Sequence, residues 1–160
     1  DNIMSTLPLD KYGNMSGTSM ATPLVSGLVG LLKSQDPTLT GREIRALIQS
    51  TGVKVNIETA CNCRVDAFAA VDTLLAKRPW LVPVAAAIAQ QTTVQIAMKN
   101  GTGPFTYASS NPAVVSVDEN GVATGVSPGS ATITVTDANE VSLTSFDYTV
   151  LAAKPAQDEN

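Results

Sequence analysis

The chain has 160 residues, 15% of them charged, and a formal net charge of −4. This length is enough for one domain or two small ones. A net negative charge without a basic cluster argues against nucleic acid as a partner. The longest apolar runs, Leu24 to Leu32 and Trp80 to Ala89, are too short to cross a bilayer, so no membrane span is expected.

The first element with a chemical signature begins near Ser19. This serine lies in the run Gly17-Thr18-Ser19-Met20-Ala21-Thr22-Pro23, at the mouth of a hydrophobic stretch. A helix beginning there places the hydroxyl near the positive end of the helix dipole and beside unpaired backbone N–H groups. Acyl transfer needs preorganised donors of this kind to meet an oxyanion. The alternative is that Thr18 or Ser19 simply caps the helix, which is the commoner use of these residue types.

The hydrophobic stretch from Met20 to Ser34 predicts the first helix. It is apolar on nearly every face, so we expect it to be buried among other elements. Pro23 lies near its first turn, where a proline costs little.

Two shorter helices follow, each with a start signal. Thr40 and Glu43 have the spacing of a capping box, and Gly52 is a good stop for the helix that they open. Asp66 is expected to cap a third helix, which ends before Pro79.

The two cysteines form the triplet Cys61-Asn62-Cys63. Residues one apart in an extended strand lie ~6.6 Å apart, near the upper limit for a disulfide, whereas a turn would bring them closer. Two interpretations remain: the cysteines are a structural pair of thiols, or they form a local disulfide. A metal site is not expected, because two thiols without a histidine or a second cysteine pair make a poor ligand set.

After Pro79 the apolar residues recur at every second position, which indicates strands. Several short strands separated by turn signals are typical of an antiparallel sandwich. Trp80 and Tyr107 are candidates for contact with a ligand, although burial or packing is the commoner role of such side chains. The alternating segments are Val94 to Met98, Val115 to Val117, Ala131 to Val135 and Phe146 to Val150, and the turn signals are Asn100-Gly101, Asn120-Gly121 and Ser127-Pro128-Gly129.

From Asn2 to Ala76 the chain resembles the C-terminal third of the subtilisin-like serine protease family. The resemblance implies that Ser19 is the catalytic nucleophile, that Thr18 supports the oxyanion, and that the substrate is a protein or peptide. One departure is Leu24, because the family usually carries a histidine after the motif's proline, although that histidine is not part of the triad. The matching segments are Asn2-Ile3-Met4-Ser5-Thr6-Leu7-Pro8, Tyr12-Gly13-Asn14-Met15-Ser16, the motif itself, Leu31 to Thr40, Ile44 to Ile48, Arg64 to Ala67 and Ala70-Val71.

The chain contains no histidine, although a serine hydroxyl needs an adjacent base to accept its proton. In the subtilisin arrangement the aspartate and the histidine precede the serine, and only the serine has a counterpart here. The family's asparagine oxyanion donor also has no counterpart before Ser19. The sequence therefore predicts an incomplete C-terminal fragment that is inactive alone. No cofactor is expected in this chain. The resemblance leaves calcium binding open for the complete enzyme.

A second resemblance covers about residues 81 to 151. Ser109 to Gly125 and Pro128 to Val135 resemble the bacterial immunoglobulin-like domain of group 2. Such modules serve as spacers, adhesion units or carbohydrate-contacting domains, so the fold alone does not define the function. The resemblance leaves a cell-surface or carbohydrate ligand open for this domain.

The predicted fold class is α/β, a mainly helical C-terminal fragment of a subtilisin-like catalytic domain, followed by an all-β immunoglobulin-like sandwich. The predicted domains are 1–79 and 80–152, with a flexible tail at 153–160. The predicted function is a serine endopeptidase that is secreted or held in the cell envelope, as the family resemblance implies. Two alternatives stay open. One is a cell-envelope binding or adhesion protein whose protease part is a remnant, and the other is a structural fragment without activity.

Overall fold

The computed structural model describes residues 2–56 and 61–152. The predicted flexible tail at 153–160 lies outside these residues. The described chain forms two compact units, which divide after Leu39.

The first unit consists of a hairpin and a long helix. Strands β1 (Ile3–Leu7) and β2 (Lys11–Met15) pair antiparallel, and helix α1 (Thr18–Gln35) follows. The loop of the hairpin passes through two residues in the left-handed region, Leu9 with φ 63° and Asp10 with φ 54°. At the open end the amide of Asn2 donates to the hydroxyl of Ser16 over 2.9 Å. The hairpin therefore fixes the chain just before α1 begins.

Helix α1 is less covered than its composition predicts. Leu28 and Leu32 are buried, whereas Leu24 is 62% exposed and Val29 and Leu31 also reach the surface. An apolar helix is buried on all sides only where neighbouring elements surround it. Within the described residues only Leu28 and Leu32 of α1 are buried and most of its surface is open to solvent, so the expectation of a buried helix is not met in this chain.

The second unit begins with two helices and a short strand pair and continues with eleven further strands. Strands β3 and β4 pair with each other, and all other pairings are within β5 to β15. The elements are α2 (Gly41–Ser50), β3 (Val53–Lys54), β4 (Cys63–Arg64), α3 (Ala67–Leu75), β5 (Trp80–Val82), β6 (Ala86–Ala89), β7 (Thr93–Gln95), β8 (Ala97–Lys99), β9 (Thr106–Ser109), β10 (Val115–Val117), β11 (Val122–Gly125), β12 (Gly129–Ala131), β13 (Ile133–Thr136), β14 (Ser142–Thr144) and β15 (Tyr148–Leu151). The described residues up to 79 thus hold three helices and two strand pairs, so this part is not mainly helical as predicted.

The predicted helix starts of α2 and α3 are confirmed. The hydroxyl of Thr40 accepts the amide of Glu43, and the carboxylate of Glu43 accepts the amide of Thr40 over 2.7 Å, which completes the capping box. The carboxylate of Asp66 accepts the amide of Ala69 over 2.9 Å and caps α3. Each cap satisfies a donor that the first helical turn leaves unpaired.

Cys61 and Cys63 form a disulfide, with their Cα atoms 5.1 Å apart. Asn62 between them has φ 45°, so the chain turns instead of running extended, and the turn brings the cysteines within bonding range. Gly52 faces this strand pair. A Cβ on Gly52 would lie only 2.7 Å from Sγ of Cys63, whereas its φ is not positive. Gly52 therefore permits the close approach of β4 and does not act as a left-handed helix stop.

Strands β5 to β15 enclose one hydrophobic core. The described strands pair in three sheets, in the orders β10-β11-β7, β12-β15-β6 and β14-β13-β9, and in the two-stranded sheet β5-β8. All these pairs are antiparallel except β6 with β15, which run parallel. This pair departs from the predicted antiparallel arrangement. It is possible because most of the module lies between the two strands and supplies the long connection that parallel strands need. The core residues are Leu81, Ile88, Ile96, Met98, Val115, Ala123, Ala131, Ile133, Val135, Tyr148 and Val150.

Two aromatic side chains in this unit are packed and do not form a free ligand surface. Trp80 is only 2% exposed, and Tyr107 is half-buried against the core. Tyr148 is fully buried, and its hydroxyl donates to the carbonyl of Pro83 over 2.8 Å. Burial raises the pKa of Tyr148 well above its ordinary value, because the phenolate would be desolvated.

Helix α2 packs against β5, and a partly exposed ion pair supports this contact. Oε1 of Glu43 lies 2.7 Å from Nζ of Lys99 on β8. The hydrogen bond from Lys99 and that from the Thr40 amide hold the pKa of Glu43 at about 2, below its ordinary 4.5. The side chain of Glu43 is 17% exposed. One carboxylate thus caps α2 and ties it to the strands.

We predict that Glu43 makes the stability of the second unit depend on pH. Because its pKa is lower in the folded state, its contribution is present above pH 4.5 and is lost as the pH falls towards 2. Glu43→Gln should lower the free energy of unfolding by about 1–2 kcal/mol at pH 6, after allowance for the partly exposed partner. Urea unfolding at pH 6 and pH 2.5 measures this loss. The difference in unfolding free energy between Glu43→Gln and the unsubstituted chain should be smaller at pH 2.5 than at pH 6.

The exposed Glu119→Gln serves as the control for that experiment and should change stability by less than about 0.5 kcal/mol at both pH values. An equal loss of stability in Glu43→Gln at both pH values would contradict the ion-pair account.

We also predict that residues 81–151 fold without the rest of the chain, because all eleven core residues lie between Leu81 and Val150. The isolated segment should give β-type circular dichroism and unfold cooperatively. Ile133→Ala, at a fully buried position, should cost about 2–5 kcal/mol in that segment. A disordered spectrum for the unsubstituted segment would refute the predicted domain boundary.

Candidate active site at the start of helix α1

Gly17 forms the turn from the hairpin into α1. Its φ of 151° and ψ of 164° lie in a region that glycine adopts readily and other residues rarely do. Its carbonyl accepts the amides of Met20 over 3.1 Å and of Ala21 over 3.2 Å, so Gly17 is the N-terminal cap. Neither Thr18 nor Ser19 caps α1, and both lie within its first turn.

Because the cap is a glycine, it has no side chain to bond the amides of the first turn. The structure shows no side-chain cap on α1. The amides of Thr18 and Ser19 have no hydrogen-bond partner among residues 2–56 and 61–152. A serine or aspartate at this cap would offer an oxygen to the amides of the second or third helical residue. The glycine therefore leaves the amide of Ser19 free to donate to another group.

Ser19 is exposed, and its hydroxyl makes no hydrogen bond to another residue that the structure describes. Ser19 is the second residue of α1, where the helix dipole carries a partial positive charge of about half a unit. The first turn contains no acidic residue to compensate this charge. A negative charge that develops next to Ser19 would meet the dipole and a free N–H together.

The next turn of α1 is also unusual. The sequence predicts Pro23 near the first turn of α1. In the structure Pro23 is the sixth helical residue and lies beyond that turn. It has no N–H to donate to the carbonyl of Ser19 four residues earlier. The hydroxyl of Thr22 instead donates to the carbonyl of Thr18 over 2.8 Å. This bond supports the backbone on the N-terminal side of Ser19.

The site supplies a hydroxyl and backbone donors, but no imidazole, because the sequence has no histidine. Within the described residues, no group of three or more His, Cys, Asp or Glu side chains could hold a metal ion. None of the described helices is both long enough and apolar enough to span a membrane.

The sequence predicts Ser19 at a helix start but does not predict which residue caps the helix. It offers Thr18 and Ser19 as caps, whereas Gly17 has that role. The signal was present in the sequence, because glycine is among the residues that tolerate the cap position. What the sequence did not show is that the turn requires a positive φ there.

A serine hydroxyl beside unpaired N–H groups at a helix start is the kind of site that nucleophilic hydrolases use. Comparison with known proteins agrees with this class. Residues 1–66 match the model of the subtilase family. Residues 81–145 match that of the bacterial Ig-like domain (group 2). The chain therefore joins a subtilase-family segment to a bacterial Ig-like domain.

Curated relatives match the first of these two segments. Subtilisin from Bacillus pumilus is 48% identical over 50 residues, which are 31% of this chain and 18% of that protein. Thermitase from Thermoactinomyces vulgaris is 48% identical over 54 residues, 34% of this chain and 19% of thermitase. The halolysin-like extracellular serine protease Nep from Natrialba magadii is 38% identical over 74 residues, 45% of this chain and 14% of Nep. The chain thus spans less than a fifth of the length of these relatives.

Among solved structures, an intimin mutant from EHEC O157:H7 resembles part of the chain with a TM-score of 0.37 and 19% identity. The likeness covers 42% of this chain and 37% of the intimin chain. A TM-score of 0.37 is too low for this likeness to support an argument about the protein.

We predict that Ser19→Ala leaves α1 as stable as before, because the hydroxyl does not cap the helix. The change should alter local stability by less than about 0.5 kcal/mol. Thr40→Ala is the matched comparison, because Thr40 does cap α2, and it should cost about 1 kcal/mol. Amide hydrogen exchange of the two helices measures both effects. A loss of protection in α1 as large as that in α2 would show that Ser19 has a structural role instead.

Proposed function

We propose that this chain is part of a subtilisin-like serine endopeptidase in which Ser19 is the nucleophile. The observation that carries the proposal is the exposed hydroxyl of Ser19 next to its own unpaired amide at the positive end of α1. The match of residues 1–66 to the subtilase family supports the same role.

In this proposal Oγ of Ser19 attacks the scissile carbonyl carbon of a peptide while a base takes the hydroxyl proton. The carbonyl oxygen becomes an oxyanion that accepts a hydrogen bond from the Ser19 amide, and the Thr18 hydroxyl assists. The tetrahedral intermediate collapses, the C–N bond breaks, and the proton passes from the base to the leaving amine. Water then attacks the acyl-enzyme, with the same base taking its proton, and Ser19 is released.

The base has to come from outside these 160 residues, because they contain no histidine. We therefore propose that this chain alone is inactive and that the aspartate and histidine of the triad lie elsewhere in the complete enzyme. The exposed apolar side chains of α1, Leu24, Val29 and Leu31, support this proposal. Exposed apolar surface of this kind is typically covered by another segment of the protein.

The substrate class follows from the chemistry of the site. A nucleophilic serine with an oxyanion donor acts on acyl groups, and the family match makes a protein or peptide the proposed substrate. Secretion or attachment to the cell envelope is proposed by analogy with Nep, which is described as an extracellular serine protease. A cell-surface or carbohydrate ligand for the Ig-like domain is supported only by the domain match.

We predict that the 160-residue chain hydrolyses a chromogenic peptide no faster than its Ser19→Ala variant does, because no base is available. In a complete enzyme that supplies the aspartate and histidine, Ser19→Ala should lower kcat by several orders of magnitude. Thr18→Val should cost less, on the order of tenfold, because the backbone donor stays in place. Active-site titration with a serine-reactive organophosphorus probe counts the functional hydroxyls.

Ser34→Ala is the control in the complete enzyme, because Ser34 lies at the far end of α1 and its hydroxyl donates to the Leu31 carbonyl. It should retain the reactivity of Ser19 towards the probe. Turnover by the 160-residue chain that Ser19→Ala abolishes would contradict the need for an external base. A complete enzyme that Ser19→Ala leaves fully active would refute Ser19 as nucleophile, whereas a complete protein without hydrolytic activity would favour the adhesion alternative.

A further inference from the structure

The second unit contains a cleft between helix α2 and the strands. Its volume is about 590 Å³, a size at which proteins commonly bind small molecules. All the residues that line it lie between Arg42 and Thr149, so the cleft belongs wholly to the second unit. It shares no residue with the candidate active site at the start of α1. A ligand bound here would therefore be independent of the proposed protease chemistry.

The floor of the cleft is the outer face of strands β6 and β15. Tyr148 and Ile88 belong to the core, and side chains alternate along a strand, so Thr149 and its register partner Ala87 lie on the opposite face. Asp147, two residues before Thr149, lines the cleft together with them. The floor thus combines a carboxylate and a hydroxyl with a small side chain that leaves room for a ligand.

The other wall of the cleft is one polar face of α2. Arg42, Arg45 and Gln49 follow one another at helical spacing and all line the cleft. Nη2 of Arg42 donates to the carbonyl of Gln95 over 3.2 Å, and this bond attaches the wall to β7. The wall and the floor are therefore held in place before a ligand arrives, which lowers the entropic cost of binding.

Two oppositely charged side chains of the cleft are available to a ligand. Arg45 and Asp147 are both exposed, and within the described chain neither forms a side-chain hydrogen bond or an ion pair, not even with the other. The guanidinium can donate two parallel bonds to a carboxylate, and the carboxylate of Asp147 can accept bonds from an ammonium group. The cleft thus presents a cation on its wall and an anion on its floor, each without a partner among these residues.

We propose that this cleft binds a small zwitterion of the α-amino acid class, with its carboxylate at Arg45 and its ammonium group at Asp147. The pair of charges also provides selectivity, because Asp147 repels a ligand that is only anionic and the arginines repel one that is only cationic. The small side chain of Ala87 leaves room for a short apolar substituent on the ligand. The proposal requires no activity of Ser19 and so goes beyond the proposed function.

Titration of the 160-residue chain with three small compounds, followed by amide chemical shifts in NMR spectra, tests the proposal. L-Alanine carries both charges, N-acetyl-L-alanine lacks the ammonium group, and L-alaninamide lacks the carboxylate. We expect L-alanine to bind at least about tenfold more tightly than either of the others, because each of them loses one charge-assisted contact. The amides that shift should include those of residues 45–49, 85–87 and 147–149.

Variants of the two charged residues separate their roles. Arg45→Gln should remove the preference for L-alanine over L-alaninamide and keep the preference over N-acetyl-L-alanine. Asp147→Asn should have the reverse effect, so the preference that each variant keeps shows that its cleft is still folded. Arg64→Gln, at an exposed arginine on β4 that does not line the cleft, should keep both preferences.

Three results would overturn the proposal. The first is equal affinity for the three compounds, and the second is a set of shifted amides confined to residues outside the cleft. The third is the absence of any saturable shift up to about 20 mM L-alanine, a concentration that would fill a millimolar site.

Discussion

The candidate active site depends on one constraint at the start of α1, which is that the residue capping the helix has no side chain. The backbone of Gly17 turns with a φ of 151° and accepts two amides through its carbonyl, but it cannot bond the amide of Ser19. The donor, the hydroxyl and the dipole therefore meet at one point with nothing else occupying it. A side-chain cap would stabilise the helix by about 1 kcal/mol and would compete for that donor.

The second unit shows the opposite use of a helix start. In α2 the cap is a threonine, both members of the capping box are satisfied, and the same glutamate pairs with Lys99. This helix start is closed by its own side chains and serves to attach α2 to the strands. One chain thus contains a helix capped by side chains, α2, and a helix capped only by backbone, α1.

Features with a local cause could be predicted from the sequence. The capping box of Thr40 and Glu43 and the cap at Asp66 depend on residues three positions apart. Contacts between distant segments could not be predicted. Helix α2 ends at Ser50, just before Gly52, as the sequence predicts, but the close contact of Gly52 with Cys63 depends on the pairing of β3 with β4.

The sequence by itself determined the nucleophile motif, the absence of a histidine and the change from helical to alternating periodicity after Pro79, because each is a property of neighbouring residues. Only the tertiary structure decided that Trp80 is buried and that β6 runs parallel to β15. The physical reason is that burial and strand pairing are set by which distant surfaces meet. Local patterning specifies which face of an element is apolar, but not which partner covers it.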